Sequence, residues 1–285
     1  MNGAPNSGGS WVEHRSTMAI AGAFGLALTS LAVVVTAEDS PSAHPELAAA
    51  ARGAIVALPI AVGLYACAWR QYRRFGLMLA VIGAGWSLTA LAESSDAVLY
   101  STGRVAAWFV EVGFVWVILT FPSGALPGRW DRVLVAAFAV LVLVGYVPTA
   151  LLGDDYPTPS PWTECDGDCP ANAFQVVGSE PGFVSHGLPA AREALTMLIF
   201  VGVAGILAGR VRSATRLTRL MLAPVLAVAV ARLLVYTLDF AGRRVDPDSP
   251  LLGAIGWTIA LLVPAMAVAF LIGLLRWQLF SIGAL

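Results

Sequence analysis

One acid, Glu111, stands inside an apolar run of membrane-spanning length, residues 105–121. A carboxylate in hydrocarbon is costly and resolves in one of three ways: it meets a counter-charge, it faces a water-filled cavity, or it takes up a proton. Counting inward from Arg104 places it about 10 Å below the outer end of its helix, at 1.5 Å per residue. Arg232 lies six residues from the outer end of the run 217–238, at nearly the same depth. The two are therefore expected to meet across the bundle, with Tyr236, Ser87 or Thr89 completing the hydrogen bonds. Such a pair either satisfies only itself or forms a ligand or proton site.

The remaining reactive residues are few. Cys165 and Cys169, in Cys165-Asp166-Gly167-Asp168-Cys169, fall in a polar outer segment where oxidation is permitted, and the intervening glycine allows a tight reversal. A disulfide is the favoured reading; a cation site with Glu164, Asp166 and Asp168, or free thiols, are the alternatives. Cys67, inside a span, reads as a small packing residue. His14, His44 and His186 are isolated, with no base or nucleophile at recognisable spacing. All 17 basic residues are arginine, so the chain has neither a phosphate-loop lysine nor a Schiff-base lysine. No Gly-rich phosphate loop, helical zinc spacing or Gly-x-Ser-x-Gly elbow occurs. The residues imply no cofactor, no metal and no nucleic-acid partner, and no catalytic residue can be assigned.

The elements that must position Glu111 and Arg232 follow from composition. Of 285 residues 58% are hydrophobic and 12% charged, and the mean hydropathy is +0.77. A soluble domain cannot cover itself on those terms. Eight apolar stretches reach the length a helix needs to cross a bilayer: 18–36, 53–69, 75–92, 105–121, 133–152, 190–209, 217–238 and 251–277. Only helices and closed barrels cross lipid, so the fold is expected to be all-α, an eight-helix membrane bundle over 18–282. A short cytoplasmic segment, 1–17, precedes it, and 153–189 forms an outer loop that could cap the bundle mouth. The first span shows no convincing cleavage site and reads as a retained helix.

Charge partition tests the count. With the N-terminus inside, the inner segments hold eleven arginines and two acids, while the outer side holds six arginines and fifteen acids, leaving Glu111 alone within a span. That asymmetry places both termini in the cytoplasm. The cluster Arg210, Arg212, Arg216 and Arg219 carries no acid and reads as a topological signal with anionic-lipid contact. Trp69, Trp130 and Trp277 adjoin inner arginines as an interfacial belt. Pro59, Pro148, Pro224 and Pro264 mark bends. Gly205 and Gly209 form a small-xxx-small pair for close helix approach, within the chain or in a dimer.

Two stretches then carry a family resemblance. Phe121-Pro122-Ser123-Gly124-Ala125-Leu126-Pro127-Gly128-Arg129-Trp130 is similar to the Phe-Pro-x-Gly-x-Leu-Pro turn that the membrane regions of a group of actinobacterial sensor histidine kinases place between two spans on the inner side. The ending from Pro264 through Arg276, Leu279, Phe280 and Ile282 resembles the exit helix after which those proteins continue into a dimerisation helix. The Arg216–Leu220 segment keeps the arginines of the matching turn but not its glutamines, lysine and tryptophan. The phospho-accepting and ATP-binding boxes are absent. The resemblance implies a multi-pass signal-input module in a bacterial plasma membrane, a homodimer, and a cytoplasmic kinase region in the same parent protein. The close ending after Phe280 is expected to reflect truncation of such a protein. A small transporter or permease component, with Glu111 as a proton or cation site, is the alternative, and a membrane scaffold without a ligand is a third reading.

Overall fold

In the computed structural model, residues 8–40, 44–156, 169–246 and 249–282 are described. No strand occurs among them, and eight helices are long and apolar enough to cross a membrane. They are α1 (Ser16–Asp39, preceded by further helix from Gly8), α2 (Pro45–Cys67), α3 (Arg73–Glu93), α4 (Ala97–Thr120), α5 (Arg129–Leu152), α6 (Phe183–Ser213), α7 (Thr218–Val245, begun at Arg216) and α8 (Pro250–Arg276, continuing to Ile282). The chain is a helical, membrane-like bundle with the predicted number of spans.

Local chemistry sets the helix ends. Pro45 opens α2, where its missing N–H costs nothing. Asp96 caps α4, its Oδ1 accepting from the amides of Val98 and Leu99 at 3.0 and 2.9 Å. The last turn of α3, Thr89–Glu93, tightens to a 3-10 helix. A single π-turn interrupts α5 at Val142–Tyr146, just before Pro148, and another opens α6 at Phe183–Gly187, just before Pro189. Each relieves the clash that a proline imposes on the preceding turn. For that reason α6 begins at Phe183 rather than at the expected residue 190, and the α5–α6 loop is shorter than the expected 153–189.

Burial is uneven. Helix α1 is largely exposed and leans on α2, whereas α2, α3, α4 and α8 are about half buried and form the centre. Gly63 of α2 and Gly76 of α3 let these backbones touch: a Cβ on Gly63 would lie 2.6 Å from the Ala80 amide nitrogen, and one on Gly76 would lie 2.4 Å from the Gly63 carbonyl. By contrast Gly205 and Gly209 of α6 face open space, so their spacing serves no packing within the chain. The charged ends segregate. The turns α2–α3, α4–α5 and α6–α7 form an arginine-rich end, and the acidic loops lie at the other.

At the acidic end, the described part of the α5–α6 loop is fastened to the bundle. The Asn172 side chain donates to the carbonyls of Ala150 and Gly153 at 2.8 and 2.9 Å, and the Ala173 amide donates to Ser101 at 3.0 Å. Tyr156, buried, donates to Asn172 and lies against Tyr100 and Trp108. Burial pushes its phenol above the usual range. Cys169 is disulfide-bonded and Cys67 is a free thiol; Cys165, the expected partner, lies outside the described residues.

Candidate functional site

Glu111 and Arg232 do meet. Arg232 Nη2 donates to Glu111 Oε1 and, at 3.3 Å, to Tyr236 Oη. Its guanidinium also lies over the rings of Phe114 and Tyr236, at 5.0 and 5.2 Å, where the ring faces favour a cation. Ser87 and Thr89 do not complete this network as expected. The Ser87 hydroxyl donates to the Ala84 carbonyl of its own helix, and Thr89 belongs to a second buried pair.

That second pair is Arg52 with Glu93. Arg52 of α2 donates through Nη2 to Glu93 of α3 and through Nη1 to Thr89 Oγ1 at 2.9 Å. Thr89 in turn donates to the Trp86 carbonyl at 2.8 Å. The two charged side chains are only 3% and 1% exposed. The expectation that Glu111 would be the sole acid within a span is therefore corrected. Hydropathy alone ends α2 and α3 short of these residues, because charge depresses the apolar average while the backbone helix continues. Arg52 lies seven residues beyond Pro45, so the depth count that located Glu111 would have located it as well.

Between the two pairs lies a cavity of about 80 Å³, lined by α2 through α8. Arg52, Arg104, Glu111, Arg232 and Tyr236 supply polar lining, and Trp86 and Trp108 stand on facing helices. Several polar atoms are buried without a hydrogen-bond partner: Trp86 Nε1, Trp108 Nε1, Arg232 Nη1 and Glu111 Oε2. An unmet buried donor or acceptor forfeits its hydration, so the cavity is primed for polar company. At the acidic end Trp108 lies tilted against Tyr146 and Tyr156, at 5.3 and 6.1 Å between ring centroids.

The turn residues form a different assembly at the arginine-rich end. Phe121 packs edge-on to Phe75 and tilted on Phe270, centroids 5.2 and 5.1 Å apart, while Phe75 and Phe270 touch at 5.1 Å. Gly124 has φ +74° and abuts the start of α3, where a Cβ would lie 2.5 Å from the Phe75 amide nitrogen; only glycine meets both conditions. Gly273 of α8 receives the edge of Phe121, since a Cβ there would lie 2.8 Å from Phe121 Cζ. Pro122 follows Phe121 in a cis peptide bond. Pro127 precedes Gly128, whose amide donates to Asp131 at 2.7 Å, and Trp130 is exposed, with Arg129 over its ring at 5.1 Å.

Asp131 resolves the arginine cluster. Arg210 Nη2 donates to Asp131, and Nη1 donates at 2.8 Å to the Leu119 carbonyl, one of the four acceptors a helix end leaves unmet. Arg210 thus clasps both ends of the α4–α5 turn, a structural role that the acid-free local sequence hid. Arg219 and Arg276 likewise donate to backbone carbonyls of Val211, Arg212 and Leu220. The backbone of α8 stays helical through Leu279 and Phe280, whose side chains lie outside the described set, as do those of Trp277 and His186. Among the described residues no cluster of His, Cys, Asp and Glu could hold a metal.

No family model matches the chain, and neither the curated proteins nor the solved structures contain a match.

Proposed function

We propose that the chain is the membrane signal-input module of a two-component histidine kinase, resident in a bacterial plasma membrane with both termini in the cytoplasm. The observation that carries this reading is the placement of α8. One part of it, Ile259, Ala260 and Val263, lines the cavity beside Glu111 and Arg232, and a later part, Phe270 and Gly273, receives the α4–α5 turn through Phe121. An occupant that favours one disposition of α8 in the cavity biases the same helix where it leaves the bundle. The orientation rests on the excess of arginine at the turn-bearing end.

The test is Glu111→Gln in the kinase-bearing protein. The variant keeps shape and hydrogen bonding but removes the charge that holds Arg232, so autophosphorylation in membranes is expected to change several-fold while protease accessibility of the loops stays the same. Unchanged autophosphorylation refutes the reading. The alternative, a small transporter using Glu111 as a proton site, draws on the unpartnered Oε2 in the cavity. It requires proton flux through reconstituted liposomes that Glu111→Gln abolishes.

A further inference from the structure

We infer that the crevice between α5 and α6 holds one phospholipid with an ammonium-bearing head group. An acyl chain lies in the crevice, the phosphate sits on Arg192, and the ammonium faces Asp155 and Glu180. The site is separate from the axial cavity and requires only that the bundle stand in a bilayer, whatever signal it carries.

Arg192 is a cation within a span. Its Nη1 donates to Thr149 Oγ1 at 3.1 Å, and its guanidinium lies 4.6 Å from the centroid of the Tyr146 ring. The adjacent acid, Glu193, pairs instead with Arg244 at 2.6 Å, and no carboxylate pairs with Arg192 among the described residues. A charge left so at membrane depth is costly and calls for a counter-ion. Height selects which one. Arg192 and Arg210, the clasp at the arginine-rich end, are eighteen residues apart on the continuous helix Leu188–Ser213, about 27 Å at 1.5 Å per residue. That nearly equals the roughly 30 Å of a hydrocarbon core, so Arg192 stands level with the phosphates of the leaflet at the acidic end. A guanidinium offers a phosphate paired N–H donors.

Two open clefts share Arg192 and decide the rest of the molecule. Toward the arginine-rich end, a crevice of about 390 Å³ is walled by Leu134, Leu141, Val144, Leu195, Leu198 and Ile199. Val144 and Leu198 on its rim are 67% and 66% exposed, whereas Leu141 and Ile199 on its floor are buried, so it opens sideways to lipid. From Leu188 to Ile199 its wall on α6 runs about 16 Å, half the hydrocarbon core and so the depth of one leaflet. An acyl chain fits that length and that lining. Toward the acidic end, a cleft of about 330 Å³ is lined by Arg192 with Asp155, Glu180, Glu193 and Arg243. Glu193 is held by Arg244, and Arg243 pairs with Asp239 at 3.1 Å. Asp155 and Glu180 have no basic partner among the described residues. A head group that runs from phosphate to ammonium meets opposite charge at both points, whereas one with phosphate alone brings net negative charge up to two carboxylates.

The test takes the purified full chain in nanodiscs of equimolar phosphatidylethanolamine and phosphatidylglycerol with identical acyl chains, and counts the lipid retained on release from the disc by native mass spectrometry. One phospholipid is expected to stay bound, phosphatidylethanolamine about ten-fold over phosphatidylglycerol, as one charge-assisted contact predicts. Arg192→Gln is expected to lower retention of both lipids about ten-fold. Asp155→Asn combined with Glu180→Gln is expected to equalise the two lipids while one stays bound. Ala137→Trp fills the crevice from an exposed position and is expected to abolish retention; it serves if Arg192→Gln does not fold. Equal retention of the two lipids by the parent, or a preference for phosphatidylglycerol, overturns the inference. So does retention that Arg192→Gln and Ala137→Trp leave unchanged, which marks ordinary boundary lipid. Inorganic phosphate that displaces the bound lipid and raises the unfolding midpoint in its place also overturns it, in favour of a free-anion site.

Discussion

Replacing Glu111 by alanine leaves Arg232 charged, buried and without its carboxylate. Removal of one partner from a buried ion pair costs about 3–5 kcal/mol. Two features place this pair toward the lower end. Tyr236 Oη stays at 3.3 Å, and the ring faces of Phe114 and Tyr236 remain at 5.0 and 5.2 Å from the guanidinium, each contributing about 0.5–2 kcal/mol toward a cation. Glu111→Ala is therefore expected to lose about 3 kcal/mol, and Arg232→Met alone a comparable amount because it strands the carboxylate instead. The double variant strands neither charge and is expected to be about 2 kcal/mol more stable than either single variant, a coupling that only contact between the residues produces. Reversible unfolding in mixed micelles, titrated with sodium dodecyl sulfate and followed by tryptophan fluorescence, measures all four corners of the cycle. Additive losses, or a Glu111→Ala variant within about 1 kcal/mol of the parent, would refute the claim that the two groups meet as a buried charged pair.

Three further outcomes follow from the same contacts. Arg210→Leu strips donors from the Leu119 carbonyl and from Asp131, and is expected to cost about 2–3 kcal/mol and to raise proteolysis of the α4–α5 turn; an unchanged digestion rate argues against the clasp. Gly273→Ala presses a methyl against Phe121 Cζ and, at 2.9 Å, the Met221 carbonyl. It is expected to destabilise by about 1–3 kcal/mol, while Gly205→Ala, facing open space, gains up to about 1 kcal/mol of helix propensity; equal unfolding midpoints for the two variants contradict the packing. Tyr72 joins α2 to α3 outside the spans, and burial pushes its phenol up to about 12. Because unfolding lets it ionise near pH 10, its contribution to stability is complete below that pH and is lost between pH 10 and about 12. Difference absorbance of the parent against Tyr72→Phe reads this titration, and ionisation near pH 10 in the folded protein contradicts the burial.

The sequence yields the architecture and one of the two ion pairs, for a physical reason that also explains what it hides. Spans are legible because the bilayer imposes a length and an apolar composition. Glu111 and Arg232 are legible because each interrupts such a run, and equal depth brings them level. Arg52 and Glu93 sit where apolar runs fade, and there the helical backbone outlasts the hydropathy signal. Asp131 and Arg210 are 79 residues apart, each in a polar segment that explains itself locally, so nothing in either segment points to the other. The π-turn before Pro189 shifts the helix start from residue 190 to Phe183, since a proline signals a break while a widened turn lets the helix run through. The cavity is the least legible of all, because it is the space that seven helices leave unfilled.

Helix α4 ties these pieces together. From its Asp96 cap it carries Trp108 and Glu111 on the cavity, then ends in Leu119, whose carbonyl Arg210 holds, and in Phe121, which seats against α8. Glu111 and Phe121 are ten residues apart, about 15 Å along a continuous helix. A displacement of α4 at Glu111 is therefore met within that distance by a fixed clasp and by the aromatic triad of Phe75, Phe121 and Phe270. Close-packed aromatic contacts yield by changing arrangement rather than by stretching. A shift of α4 must then either be absorbed at the triad or move α8 with it, and the glycine at 273 removes the side chain that would otherwise separate the two. If α4 and α8 move as one body through this contact, Phe121→Ala should leave the Glu111–Arg232 pair in place yet abolish the effect of Glu111→Gln on the exit end of α8, read by protease accessibility there, whereas an unchanged effect contradicts the coupling.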